Sequence, residues 1–212
     1  MSFDTEEQKL REQFVEAGRS LYERGYATGS AGNMSLILPD GNVLTTPTGS
    51  CLGRLDPAGL SKVSFEGELI SGPKATKEVR LHIAVYRHNP EQKAVVHLHS
   101  TYATALSCLK DLDANDVIRP FTPYVVMRMN KVLLVPYHKP GSAELVAALD
   151  AVAAEHNAFL LANHGPITAG RDLTEAVNNA EELEATAKLY FVLGQDRARI
   201  RYLSADEIKE LR

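Results

Sequence analysis

Residues 94–108, AVVHLHSTYATALSC, decide how the chain is read. AVVHLH is an apolar run suited to a buried strand, and TYATALSC continues with the spacing of a helix. The strand nevertheless carries two histidines, His97 and His99. Side chains two apart on a strand project to the same face, so both imidazoles look the same way. Two polar rings on a buried face each cost free energy unless something bonds them. A metal ion is one such partner, since zinc takes histidine nitrogen in tetrahedral sites. A strand edge with two solvated histidines is the other reading.

Working outward, Leu10, Phe14, Ala17 and Leu21 recur at helical spacing, with Asp4 or Thr5 placed to cap the helix and Gly25 to end it. NMSLILPDGNVLTTP (33–47) reads as two strands about the turn residues Pro39-Asp40-Gly41-Asn42, and LSKVSFEGELISG (60–72) as a second hairpin. Residues 76–90 form a helix with Val79, Ile83 and Tyr86 inward, stopped at Asn89-Pro90, and Glu78 falls in its first turn. Residues 101–110 are a helix, 123–137 (PYVVMRMNKVLLVPY) further strand, and 142–156 a helix. A strand over 158–170, a long helix from Asp172 to about Leu193 and a short one in the tail complete the chain. Strands interleaved with helices, preceded by hairpins, predict an α/β fold as one domain over 1–212: α/β/α layers around a mixed, largely antiparallel sheet.

With 212 residues, 44% of them hydrophobic, the chain can bury a sizeable core. A net charge of -4 argues against a broad basic surface for nucleic acid or anionic lipid. The N-terminus is polar and acidic where a secretory signal needs an apolar core, and no run of about 18 apolar residues occurs, so a cytoplasmic protein without membrane contact is expected. Cys51 and Cys108 are too few for a disulfide framework and are expected as free, mostly buried thiols.

Further signals stand beside the two histidines. In AFLLANHGPITAG an apolar run ends at Asn163-His164-Gly165-Pro166, and α/β proteins place functional groups where a buried strand stops. With His97 and His99, His164 would leave a zinc ion one position open for substrate. Glu78 alone is a favourable partner for a helix dipole; beside a metal it becomes a ligand or a proton carrier. The small-residue loops TGSAGN (28–33) and TPTGS (46–50) can offer donors to a phosphate, or can simply be turns that need glycine. His82, His88, His138 and His156 are expected to be solvated or bonded locally, and EELEATAK (181–188) to be a solvated helix face.

Taken in order, GSAGN, TPTG, the acidic residue after Thr76-Lys77, HLH and NHG resemble the class II aldolase/adducin family, which includes L-fuculose-phosphate aldolase and L-ribulose-5-phosphate 4-epimerase. The resemblance runs from about Gly25 to about Gly194. Within the family, RGYATGSAGNMSLILPDGN, TPTGSCLGRLDP, AVVHLHSTYATALSCL and VIRPFTPYVVMRM are similar to the members that decarboxylate phosphorylated four-carbon keto acids. The resemblance implies a zinc site from His97, His99 and His164. Glu78 would be a ligand when the site is empty and the proton-transfer residue during turnover. It implies phosphate contacts from Ser30, Gly32, Asn33, Thr48 and Gly49; where the aldolases carry two serines this chain has Thr76, which can still donate a hydroxyl to phosphate, and Lys77, whose charge can serve either the phosphate or a substrate carboxylate. It also implies Tyr124 near the reacting carbons, a small phosphorylated sugar-acid substrate, and a cyclic homotetramer with sites at subunit interfaces, into which a tail tyrosine, here Tyr202, can reach. A sugar-phosphate aldolase or epimerase is the second reading. An adducin-like binding module is the third, and retention of all three histidines and Glu78 argues against it.

Overall fold

The Asp4 carboxylate accepts the free N–H groups of Glu6 and Glu7, which starts helix α1 (Thr5–Glu23). The computed structural model describes residues 4–212, with backbone alone for 195–197. Strand β1 (Asn33–Ile37) turns at Leu38–Asn42 into β2 (Val43–Thr45), and β3 (Ser61–Val63) pairs with β4 (Leu69–Ser71), so both expected hairpins form. Helix α2 (Val79–His88) leads to β5 (Ala94–His97), which passes directly into α3 (Thr101–Ser107). Helix α4 (Pro123–Met129), β6 (Leu133–Val135) and α5 (Ala143–Asp150) precede the hairpin of β7 (Ala158–Leu161) and β8 (Gly165–Gly170). The long α6 (Leu173–Val192), capped by Asp172, and the short α7 (Ala205–Glu210) close the chain.

The strands form one sheet in the order β4-β3-β2-β1-β5-β8-β7-β6. Every neighbouring pair is antiparallel except β6 and β7. Helices α2 and α5 cover one face, where Val79, Ile83, Tyr86, Leu145 and Leu149 pack on Val95 and Phe159. Helices α1, α3, α4 and α6 cover the other. Along β5, Val95 faces α2 while Ala94, Val96 and Leu98 face α1 and α6. Alternation therefore turns His97 toward the α2 layer. The layered mixed sheet agrees with the expectation from the sequence.

Several local readings need correction. PYVVMRM is a helix, not a strand: Pro123 occupies the first turn, where its missing N–H costs nothing, and Val125, Val126 and Met129 bury one helical stripe. Helix α5 stops at Asp150 because the Asn89 side chain takes over the backbone beyond it, donating to the carbonyls of Ala153 and His156 and accepting from the Glu155 N–H. The 158–170 segment is two strands rather than one. Cys108 is exposed at the end of α3 and Cys51 is half-buried, so neither is a core thiol. His82 is fully buried rather than solvated. Nor is the 181–188 run only a solvated face: Glu184 accepts the Tyr102 and Ala103 N–H groups, both at 2.8 Å, and fastens the start of α3 to α6.

Candidate metal and substrate site

The site lies where β5 ends, and glycine on two sides lets other chain segments reach that end. Gly32 sits at φ +84°, and a Cβ there would lie 3.0 Å from the His97 carbonyl oxygen. Gly165 sits at φ +154°, and a Cβ there would lie 2.3 Å from the Leu98 carbonyl oxygen. A side chain at either position would push the segment away from the histidines.

His97 is wholly buried, and its Nδ1 lies 2.8 Å from the Pro166 carbonyl. A carbonyl only accepts, so Nδ1 carries the proton and Nε2 presents a lone pair inward. The Nε2 atoms of His97 and His99 are 3.2 Å apart. Glu78 completes the ring, with Oε2 3.4 Å from His97 Nε2 and Oε1 3.5 Å from His164 Nε2. The three imidazoles pack edge to face with centroids 4.8 to 5.0 Å apart, and one ligand atom from each falls within 4.8 Å of the others. Glu78 is the residue just before α2, and its side chain makes no capping bond there. Its carboxylate is thus free to turn inward, where Asn33 Nδ2 donates to Oε2 at 2.8 Å.

Burial, aided by the neighbouring imidazoles, pushes His97 down to about 4, and burial also lowers His99 and His164. All three are neutral near pH 7, as metal ligation by imidazole requires. Burial works upward on Glu78, but His97, the Asn33 amide and His164 outweigh it and hold the carboxyl below its ordinary value. Glu78 Oε1 and His164 Nδ1 are buried without a hydrogen-bond partner among the described residues. Inward lone pairs on neutral nitrogen, one carboxylate and an unbonded carboxylate oxygen are the donor set of a divalent cation such as zinc.

A cleft of about 400 Å³ opens over this ring. Ser30 and Gly32 line it from the loop before β1, Asn33 from the first position of β1, Thr48 and Gly49 from the loop after β2, and Thr76 and Lys77 from the approach to α2. Glu78, His99 and His164 reach its surface, while His97 stands behind them. The two loops are held together at Pro47 and Ala75, and by the Thr48 N–H bonding the Lys74 carbonyl. Sequence reasoning missed Pro140 on the cleft wall, and it assigned Asn33 to phosphate without seeing that its amide is spent on Glu78. Tyr124 does not line the cleft: it begins α4 with 59% of its surface exposed. Tyr202 lies under the Arg119 guanidinium, 4.1 Å from ring centroid to carbon.

Residues 12–191 match the family model described as the class II aldolase and adducin N-terminal domain. The 3-oxo-tetronate 4-phosphate decarboxylase of Escherichia coli K12 is 64% identical over 206 residues, covering 97% of this chain and 96% of that protein. An L-fuculose phosphate aldolase from Methanococcus maripaludis strain C7 is 36% identical, covering 85% of this chain and 95% of that one. The crystal structure of YgbL from Klebsiella pneumoniae superposes with a TM-score of 0.95 at 62% identity, covering 97% of this chain and 99% of the other. The sheet order, the histidine ring and these likenesses agree: the chain belongs to the class II aldolase and adducin family.

Proposed function

We propose that the chain is a metal-dependent carboxy-lyase that converts 3-oxo-tetronate 4-phosphate to dihydroxyacetone phosphate and carbon dioxide, with zinc as the metal. The observation that carries this reading is the convergence of three imidazole nitrogens and Glu78 at one end of a cleft whose other walls are small-residue loops. The 64% identity to a decarboxylase of that substrate supports the choice among the activities such a site can host.

The substrate carries a carboxylate, then a hydroxyl carbon, a ketone, and a phosphate on the last carbon. Loss of carbon dioxide leaves an electron pair on the hydroxyl carbon, in conjugation with the ketone. When bound, a divalent metal supplies Lewis acidity toward that developing negative charge, typically several kcal/mol of stabilisation. His97, His99 and His164 would hold it, their Nε2 atoms facing one another and Glu78, and Glu78 would add a carboxylate ligand in the absence of substrate. During turnover Glu78 takes up a proton from solvent through the cleft once substrate displaces it from the site, and Oε1 delivers that proton to the carbon that lost the carboxyl group. Asn33 holds the other oxygen, so the oxygen that moves the proton is fixed. Ser30, Gly32, Thr48, Gly49, Thr76 and Lys77 bind the phosphate and orient the reacting end against the histidines. The chain works as a single domain in a cytoplasmic homo-oligomer, a tetramer by family resemblance.

The test is to mix zinc-loaded protein with 3-oxo-tetronate 4-phosphate and follow both products. Carbon dioxide and dihydroxyacetone phosphate appear in equal amounts. Neither appearing, with zinc confirmed bound, overturns the reading and moves the assignment to aldol cleavage of a ketose phosphate.

A further inference from the structure

Behind the Glu78 carboxylate lies a polar group that the scheme above does not use. Ser35 Oγ is 2.7 Å from His82 Nδ1 and 2.6 Å from the Tyr86 hydroxyl. Ser35 and His82 are wholly buried, and Tyr86 is 2% exposed. Three polar side chains deep in the α2 layer are a costly choice where apolar ones would fill the same space. His82 Nε2 adds to that cost, being buried with no hydrogen-bond partner among the described residues.

Their placement gives the cost a purpose. Asn33 and Ser35 lie two apart on β1, so they share a face, about 6.6 Å from one another along the strand. Glu78, His82 and Tyr86 lie four apart on one stripe of α2 and the turn before it, each step about 6 Å. The strand step and the helix step match. Asn33 to Glu78 and Ser35 to His82 are consequently two parallel rungs between the same two elements, the outer one in the cleft and the inner one in the core. The inner rung fixes how far α2 can slide along β1, and β1 is itself locked to the histidine strand by pairing of Asn33 with His97 and Ser35 with Val95.

We propose that the Ser35–His82–Tyr86 group is a register key that sets where Glu78 presents its carboxylate to the metal and substrate, which makes His82 a positioning residue of the reaction. The kinetic part rests on the decarboxylase reading; the geometric part does not. Apolar packing between β1 and α2 tolerates small slips that a hydrogen bond does not, and a displacement of about 1 Å at a reacting group costs on the order of a hundredfold in rate.

The experiment compares wild type, His82→Leu and His82→Asn. Leucine removes the rung without leaving a bare polar atom, since Ser35 keeps Tyr86 as its partner, while asparagine puts a hydrogen-bonding atom back near the Nδ1 position. His82→Leu is expected to unfold at the wild-type denaturant midpoint or higher and to bind one equivalent of Co(II). Its Co(II) absorption bands are shifted from wild type, and His82→Asn restores them. In turnover His82→Leu loses roughly ten- to a hundredfold in kcat with KM within threefold, and His82→Asn recovers most of it. Unchanged Co(II) bands in folded His82→Leu overturn the proposal whatever the substrate proves to be, as does a kcat within twofold of wild type. If wild type itself turns over no 3-oxo-tetronate 4-phosphate, the decarboxylase reading fails, and the Co(II) spectra alone decide the positioning role.

Discussion

Gly165→Ala tests the site through its backbone rather than its ligands. The new Cβ would lie 2.3 Å from the Leu98 carbonyl oxygen and 3.4 Å from a His99 ring carbon, where 3.4 to 4 Å is ordinary contact. Reaching that contact requires Leu98 and the His164 turn to part by about 1 Å. They are not free to part, because the Leu98 N–H bonds the Pro166 carbonyl at 3.2 Å and His97 Nδ1 bonds the same oxygen at 2.8 Å. Overpacking of this kind costs about 1–3 kcal/mol, and alanine at a φ of +154° adds about 1–3 kcal/mol of backbone strain. A total of about 2–6 kcal/mol corresponds in a chain of this length to a fall in Tm of roughly 4–24 °C. Whatever movement relieves the clash also pulls His164 away from His99, so zinc affinity falls about ten- to a hundredfold. Thermal unfolding with and without zinc and competitive chelator titration measure the two effects. A variant within 0.5 kcal/mol of wild type that holds zinc equally tightly would refute the account of why glycine stands there.

The other predictions concern side chains. His97→Ala removes zinc and turnover together; metal analysis of the purified variant checks this, and full occupancy refutes the ligand assignment. Glu78→Gln keeps the metal and loses about a hundredfold or more in kcat, because an amide cannot deliver the proton; single-turnover rates near wild type exclude Glu78 as the carrier. Lys77→Met raises KM about ten- to a hundredfold with little change in kcat if the ammonium meets the phosphate, and steady-state kinetics separate this from a kcat effect. Asp40 tests the fold: burial raises its carboxyl, but the Lys62 ammonium and the Asn42 backbone N–H outweigh that and hold it at about 2. A depressed folded value means the stabilisation is present above about pH 4 and is lost as pH falls toward 2. With 47% of the side chain exposed it amounts to less than about 1 kcal/mol. Asp40→Asn is therefore slightly less stable in denaturant at pH 7, and the difference shrinks as pH is lowered from about 4 through 2.

Local chemistry made much of the fold legible. Asp4 and Asp172 cap α1 and α6 as their side chains allow, and the Pro39–Asn42 turn sets the first hairpin. PYVVMRM was ambiguous because Val125-Val126 suits a strand while the stripe of 125, 126 and 129 suits a helix, and only packing of that stripe toward α6 decides between them. The histidine ring was readable because His97 and His99 share a strand face and His164 ends another apolar run. The Ser35–His82 rung was not read, although its signal is present: polar residues at 33 and 35 on one strand face and at 78, 82 and 86 on one helix stripe. Each looks ordinary alone, and the meaning lies in strand and helix steps that happen to be equal. Glu184 was hidden for a similar reason, since a carboxylate in a charged run shows nothing of the two N–H groups it meets across the fold.

The three histidines and Glu78 would not by themselves decide between losing carbon dioxide and losing an aldehyde, because both leave the same electron pair beside a ketone. The choice must come from how the cleft treats the group that leaves. A cation beside the departing carboxylate stabilises the ion that has to disappear more than the transition state in which its charge has moved toward the ketone, and so slows decarboxylation. Lys77 is the only lysine or arginine among the described residues lining the cleft. If it meets the phosphate, no lysine or arginine of the cleft is left beside the carboxylate. A carboxylate without such a partner keeps more of the gain from giving up its charge. On this argument Lys77 would favour decarboxylation by keeping the one lysine among the described cleft residues at the end of the substrate that does not react.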